Sequence, residues 1–254
     1  MAVYGVLGDI HGNREALVAV LEALDRENID RLLCVGDVVG YNADPDECVA
    51  LLRARGVVVI CGNHDLIGTR RLGFDRCSNK AMHALKRTRL RLSADAAAYL
   101  CSLPEHYLLE QRSVLIHGGV RDVEQYMTTP AHALQNASYL RSDYPGRNVC
   151  FYGHTHVQRV FEISGDEVRD LPVVAPLKLW EDRLYFINPG SVDASRKRGG
   201  KHAQYAIFDS SARSVEFFHV PYNDALSEAR AAAAGYRLSP WIELMYTMRR
   251  RCGW

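Results

Sequence analysis

The chain has 254 residues, with 31 Lys and Arg against 30 Asp and Glu and a formal net charge of +1. Such balance excludes a globally basic nucleic-acid binder, and 48% hydrophobic with 24% charged residues excludes a disordered or fibrous chain. The longest apolar runs, such as Val57 to Cys61, fall far short of the ~20 residues of a membrane-spanning helix. The start, Met1 to Leu7, lacks the basic opening and cleavage site of a signal peptide. Seven cysteines without a Cys-x-x-Cys pair fit neither a disulfide framework nor a thiolate zinc site. The expectation is a soluble, cytoplasmic protein with no membrane partner.

The first 65 residues alternate β-branched runs with amphipathic segments, the pattern of a largely parallel sheet covered by helices. The first helix is predicted from about Asn13 to Asn28, with Leu17, Val20, Leu21 and Leu24 as its buried stripe. The second opens at Asp44 as N-cap, with Pro45 in the first turn and Glu47 completing a capping box, and stops at Gly56. From Leu66 to about Glu110 the pattern turns helical, over Ser78 to Leu90 and Ala94 to Leu103, and reads as a cap insertion. Strands resume at Val114 to Ile116, Val149 to Tyr152 and Leu184 to Ile187, and a hairpin pairs Gln204 to Phe208 with Ser214 to His219. A tail from about residue 222 holds an Ala-rich helix and a second helix ending in Arg249, Arg250 and Arg251. One domain over residues 1–254 is expected, with the insertion at about 66–110.

Open α/β sheets gather their chemistry at the carboxyl ends of strands. Six apolar runs here lead directly into Gly8-Asp9-Ile10-His11, Gly36-Asp37, Gly62-Asn63-His64-Asp65, His117-Gly118, Gly153-His154-Thr155-His156 and Asn188-Pro189-Gly190-Ser191. Five of the ten histidines fall in these loops. Asp9, His11, Asp37, Asn63, His117, His154 and His156 make an oxygen and imidazole donor set without thiolates, which suits Mn, Fe, Zn, Co or Ni better than Ca or Mg. Seven donors are too many for one tetrahedral ion with an open position, but fit two ions sharing a bridging carboxylate. His83, His106, His132, His202 and His219 stand in no such pattern.

These motifs, in this order, resemble the calcineurin-like metallophosphoesterase superfamily, most of all its small YfcE-type bacterial and archaeal phosphodiesterases. The resemblance spans residues 9 to 191 and implies a four-layer α/β/β/α sandwich of two mixed sheets flanked by helices. It implies one metal on Asp9, His11, Asp37 and His156 and a second on Asp37, Asn63, His117 and His154, with Asp37 as the bridge. It also implies hydrolysis by in-line attack of a hydroxide held between the ions, with His64 protonating or stabilising the leaving oxygen. Phosphoprotein phosphatases and symmetrical diadenosine tetraphosphate hydrolases continue the second motif as Gly-Asp-x-x-Asp-Arg-Gly; here Gly40, Tyr41 and Asn42 stand in the last three places.

Tyr41, Arg70 and Ser191 are the candidate substrate contacts. Between Arg70 and Arg91 eight basic residues face one acid, Asp75, and part of this segment is expected to overhang the metals and meet further phosphates of a nucleotide. A second basic loop holds Arg196, Lys197, Arg198 and Lys201. The leading expectation is a dinuclear phosphoesterase, manganese first among its metals, acting on small nucleotide-derived phosphodiesters. The alternatives are a dinucleoside polyphosphate hydrolase of the diadenosine tetraphosphate type, a phosphomonoesterase or phosphoprotein phosphatase, and a noncatalytic interaction module like the retromer subunit of this fold. Nucleic acid is not expected as a partner, since no aromatic residues interleave the basic ones. The Arg-ended C-terminal helix is the candidate contact of a homo-oligomer.

Overall fold

The computed structural model describes residues 2–174, 176–193 and 201–252. The opening alternation is β1 (Val3–Leu7), α1 (Arg14–Leu24), β2 (Arg31–Cys34), α2 (Pro45–Ala54) and β3 (Val58–Val59). Three helices follow, α3 (Asn63–Gly68), α4 (Asn79–Arg91) and α5 (Ala94–Ser102). The middle of the chain runs β4 (Tyr107–Leu109), β5 (Ser113–Leu115), α6 (Pro130–Asp143), β6 (Val149–Phe151), β7 (Arg159–Ser164), β8 (Glu167–Leu171), β9 (Leu177–Lys178) and β10 (Leu184–Asn188). The hairpin is β11 (His202–Asp209) with β12 (Ser214–Pro221), and α7 (Asp224–Ala233) and α8 (Pro240–Cys252) close the chain. Among the described residues no helix is long and apolar enough to cross a membrane.

The strands form two six-stranded mixed sheets, ordered β3-β2-β1-β11-β12-β9 and β4-β5-β6-β10-β7-β8. In the first, β1, β2 and β3 are parallel, and β11 runs antiparallel both to β1 and to its hairpin partner β12. In the second, β5, β6 and β10 are parallel. Period-two alternation explains the layering. Tyr4, Val6, Leu33 and Val35 point between the sheets and meet Leu115, Phe151, Tyr185 and Ile187. Their neighbours Leu7 and Cys34 turn outward onto Leu17, Val20 and Leu52 of α1 and α2. On the far side Val114, Cys150 and Phe186 receive Ala133, Ala137 and Leu140 of α6. Four layers, α/β/β/α, result, and each fully buried Leu, Ile or Phe contributes about 1.5–3 kcal/mol to holding them together.

Helix entries follow the local chemistry. Asn13 accepts from the Ala16 N–H to start α1, Ser78 from Ala81 to start α4, and Thr129 from His132 to start α6 ahead of Pro130. Asp44 precedes α2 as expected, but its side chain makes no cap bond. It pairs with Arg230 of α7 instead, a charge-assisted contact that outcompetes a backbone N–H. Residues 66–110 supply α4, α5 and the edge strand β4. The expected basic loop at Arg196, Lys197 and Arg198 lies outside the described residues, as do the side chains of Arg249, Arg250 and Arg251.

Candidate metal centre

Because β1, β2 and β3 run parallel, and so do β5, β6 and β10, the loops that follow them emerge at the same edge of the sandwich. Hydrogen bonds tie these loops to one another: Asp9 N to Gly36 O at 3.0 Å, His11 N to Asp37 O at 2.9 Å, Gly153 N to His117 O at 2.8 Å and Val192 N to Gly8 O at 3.0 Å. Asp9, His11, Asp37, His154 and His156 all adopt left-handed backbone, with φ between 51° and 65°. That conformation costs a non-glycine residue about 1–2 kcal/mol. Strain concentrated on five polar residues at one edge marks a functional constraint rather than a folding convenience.

The side chains converge. Ligand atoms of Asp9, His11 and His156 lie within 4.8 Å of one another, as do those of Asp37, His117 and His154. The two Nε2 atoms of His11 and His156 are 2.9 Å apart. Asp9 Oδ1 is 3.6 Å from His156 Nε2. Asp37 Oδ2 sits between the groups, 3.3 Å from His117 Nε2 and 3.8 Å from His11 Nε2. Asn63, the first residue of α3, places Oδ1 3.1 Å from His117 Nε2. All of these residues are buried. A buried convergence of two carboxylates and four imidazoles has the donor chemistry of a transition-metal site, so the residues fit the ions the sequence pointed to.

Outer partners fix the donors. His117 Nδ1 meets the Val35 carbonyl at 2.7 Å and His11 Nδ1 the Val39 carbonyl at 3.3 Å, leaving each Nε2 to face the centre. Asp37 Oδ1 accepts from the His64 N–H at 2.8 Å, and Asp9 Oδ1 from the His154 N–H at 3.0 Å. Asp65 accepts from the N–H groups of Gly62 and Val39 and so pins the second and third loops together. Gly62 is obligatory: a Cβ there would stand 2.1 Å from Asp37 Oδ1. Asn188 donates to the Gly153 carbonyl and to Thr155 Oγ1, bracing the Gly153 to His156 loop.

Electrostatics follow the same geometry. Burial works to lower the His117 imidazole, but the adjacent Asp37 carboxylate outweighs it and lifts the value to about 9. Burial likewise opposes ionisation of Asp37, and the imidazoles of His117, His64 and His11 overcome it, holding the carboxyl well below the usual range. Burial, then the Asp37 charge, pushes Asp65 up to about 7.

His64 stands beside the donors with its ring centre 4.5 Å from that of His11 and 4.8 Å from that of Tyr41. Gly40, at φ 147°, lets these rings approach, since a Cβ would come within 2.4 Å of His64 Nδ1. Over them opens a cavity of 710 Å³. Asn63, His64, His154 and His156 form its floor, and Tyr41 lines it beside His64.

Two expected substrate contacts lie elsewhere. Arg70 is exposed and does not line the cavity; α3 ends at Gly68, and the left-handed Arg70, at φ 66°, turns the chain toward α5, where Arg71 bonds the Cys101 carbonyl. From the same basic segment it is Arg76 and Lys80 that face the cavity. Ser191 is fully buried and donates to the Asp9 carbonyl at 2.9 Å, so it braces a loop. Glu124 and Tyr126 form a wall that the sequence did not signal, the Tyr126 ring lying 4.0 Å from that of His154. Another wall comes from the tail: Tyr222, Ser227, Glu228 and Arg237.

A family model described as the calcineurin-like phosphoesterase superfamily domain matches residues 1–213. An uncharacterized protein from Methanocaldococcus jannaschii is 30% identical over 249 residues, 95% of this chain and 96% of that one. Among solved structures, a metallophosphoesterase from Sphaerobacter thermophilus superposes with a TM-score of 0.74 at 31% identity, covering 96% of this chain and 97% of its own. A hypothetical protein from Pyrococcus horikoshii OT3 gives a TM-score of 0.73 at 18% identity, with the same coverage. Both matches extend through most of the tail that the family model leaves out.

Proposed function

We propose, on the premise that the chain belongs to the calcineurin-like phosphoesterase superfamily, that it is a dinuclear metal-dependent hydrolase of small, nucleotide-derived phosphodiesters. The observation that carries this reading is the position of Asp37, whose Oδ2 reaches both an Asp9, His11 and His156 group and a His117, His154 and Asn63 group. In the proposal Asp9, His11, Asp37 and His156 hold one divalent ion and Asp37, Asn63, His117 and His154 the other. Bound there, the pair of ions supplies a nucleophile at neutral pH and neutralises phosphoryl charge. Manganese is the proposed metal, and a reducing cytoplasm the proposed setting.

The chain's own groups do the rest. His64 is the proposed general acid: its backbone N–H anchors Asp37 while its imidazole, fixed by Tyr41 and His11, faces the cavity where a leaving oxygen would emerge. The strained loops keep the donors in place before substrate arrives, so little reorganisation is needed at reaction. Tyr41 walls the cavity beside His64 and limits how the ester can lie.

Hydrolysis of bis-p-nitrophenyl phosphate and p-nitrophenyl phosphate by manganese-loaded protein tests the reading, with Asp37→Asn as the control. The expected result is diester cleavage preferred over monoester cleavage, with a loss of about 100-fold or more in Asp37→Asn. Cleavage that persists in Asp37→Asn, or a monoester preference, overturns the diesterase assignment.

A further inference from the structure

The cavity is far larger than one phosphoryl group. Its 710 Å³ falls within the ~300–1,000 Å³ range of pockets that enclose a small-molecule ligand. Its cations are of two kinds. Arg76 contacts both carboxylate oxygens of Asp122 at 2.8 Å and lies 3.7 Å from Glu124. Arg237 forks onto Glu228 at 2.6 and 2.7 Å, and Lys201 lies 3.6 Å from the same carboxylate. Lys80 differs: among the described residues no carboxylate comes within 4.0 Å of its ammonium. The contact it makes is with the face of Tyr41, 5.6 Å from the ring centre.

Tyr41 is also the neighbour of His64, so a single aromatic ring links the donor floor to this ammonium. A cation held by a π face keeps its full charge for a ligand, whereas recruiting Arg76 or Arg237 would first break an ion pair. The acids nearby have closer partners: Glu124 faces Arg76, Glu228 holds Arg237, and Asp193, which feels Lys80 and Arg237 only as longer-range charges, accepts from the side-chain amides of Asn13 and Asn42 at 2.8 and 2.6 Å.

We infer that Lys80 is a specificity-determining residue that binds a second phosphate of a substrate whose scissile phosphoryl group lies over the donor floor. This rests on the reading given under Proposed function and narrows it: the favoured substrates are nucleotide esters carrying a further phosphate. That phosphate belongs either to the same phosphate chain or to another hydroxyl of the ribose. Lys80 meets the ring of Tyr41, and that ring in turn meets His64, so the work assigned to Lys80 is recognition rather than bond cleavage.

The test is calorimetric binding of adenosine 5′-monophosphate, adenosine 5′-diphosphate and adenosine 3′,5′-bisphosphate to the manganese-loaded full chain. The expected result is that one of the two doubly phosphorylated nucleotides binds about tenfold or more tightly than the monophosphate. Which one wins tells a phosphate chain from a second ribose phosphate. In Lys80→Met the advantage falls to about twofold or less, and in Lys80→Arg most of it remains. An advantage that survives in Lys80→Met, or one absent from the native protein, overturns the inference. Diester hydrolysis by the same preparations is measured separately, so failure of the hydrolase reading shows as an inactive native protein whatever the binding pattern.

Discussion

Asp37 and His117 form the tightest charged contact at the centre, and its consequence for the metal-free protein has a definite sign. His117 holds its proton up to about 9 when folded, because Asp37 outweighs the burial that would lower it, and releases it near ~6.5 when unfolded. The stability this contributes is fully present below ~6.5 and lost as pH rises through about 9. Asp37 is held low, so its contribution is present above ~3.9 and lost only as pH falls toward its folded value. In chelator, melting temperature is therefore expected to fall more between pH 7 and 9.5 in the native protein than in His117→Gln. Equal slopes would mean the pair contributes nothing. A metal ion must displace the same proton, so its affinity rises over the same interval. His64 belongs to a separate role. In His64→Asn, manganese content is expected to stay unchanged while kcat for an alkyl phosphodiester falls about 100-fold, and for a p-nitrophenyl ester far less, since that leaving group needs no proton. Equal losses on both esters would remove His64 as the acid.

At the scale of elements, the C-terminal segment is part of the cavity rather than an appendage. Arg237 donates to the Tyr41 carbonyl at 2.9 Å and to Asn42 Oδ1 at 3.1 Å while gripping Glu228. Arg230 binds Asp44, and Ser227 bonds Asn13 at the head of α1. Arg237→Met removes the charge-assisted bonds to the Tyr41 loop, each contributing about 1.5–3 kcal/mol. Thermal unfolding is expected to drop by about 2–4 °C for each kcal/mol lost; an unchanged melting curve would show that the loop holds its shape without the tail. None of this was legible in the sequence, because no spacing rule links residue 237 to residue 41. What was legible were the elements with strong local signals: the stripe of α1, the helices over Ser78 to Leu90 and Ala94 to Leu103, the β11 and β12 hairpin, and the glycine-flanked polar residues after six strands. Helix α6 is faint in the sequence although Thr129-Pro130 repeats the signal of Asp44-Pro45, because its buried Asn136 blurs the apolar stripe. Strand β8 is mostly exposed and charged, so period-two alternation is faint there. Arg70 stands away from the cavity because a left-handed turn carries it off, and proximity in sequence to Asp65 says nothing of that turn.

At the scale of the molecule, the donors are divided between the two sheets. Asp9, His11, Asp37 and Asn63 follow strands of the first, and His117, His154 and His156 follow strands of the second. Each donor group draws on both sheets, so packing of Tyr4, Val6 and Val35 against Phe151, Tyr185 and Ile187 is what brings its members together, and Asp37 links one group to the other. Ions bound across that junction would favour the folded chain over the unfolded one by mass action. The most direct measurement is a titration of manganese into chelated protein that follows bound metal and bis-p-nitrophenyl phosphate hydrolysis together. The account predicts a rate that keeps rising to two bound ions per chain and then levels off. Full activity at one ion per chain, or hydrolysis that ignores metal, would contradict it.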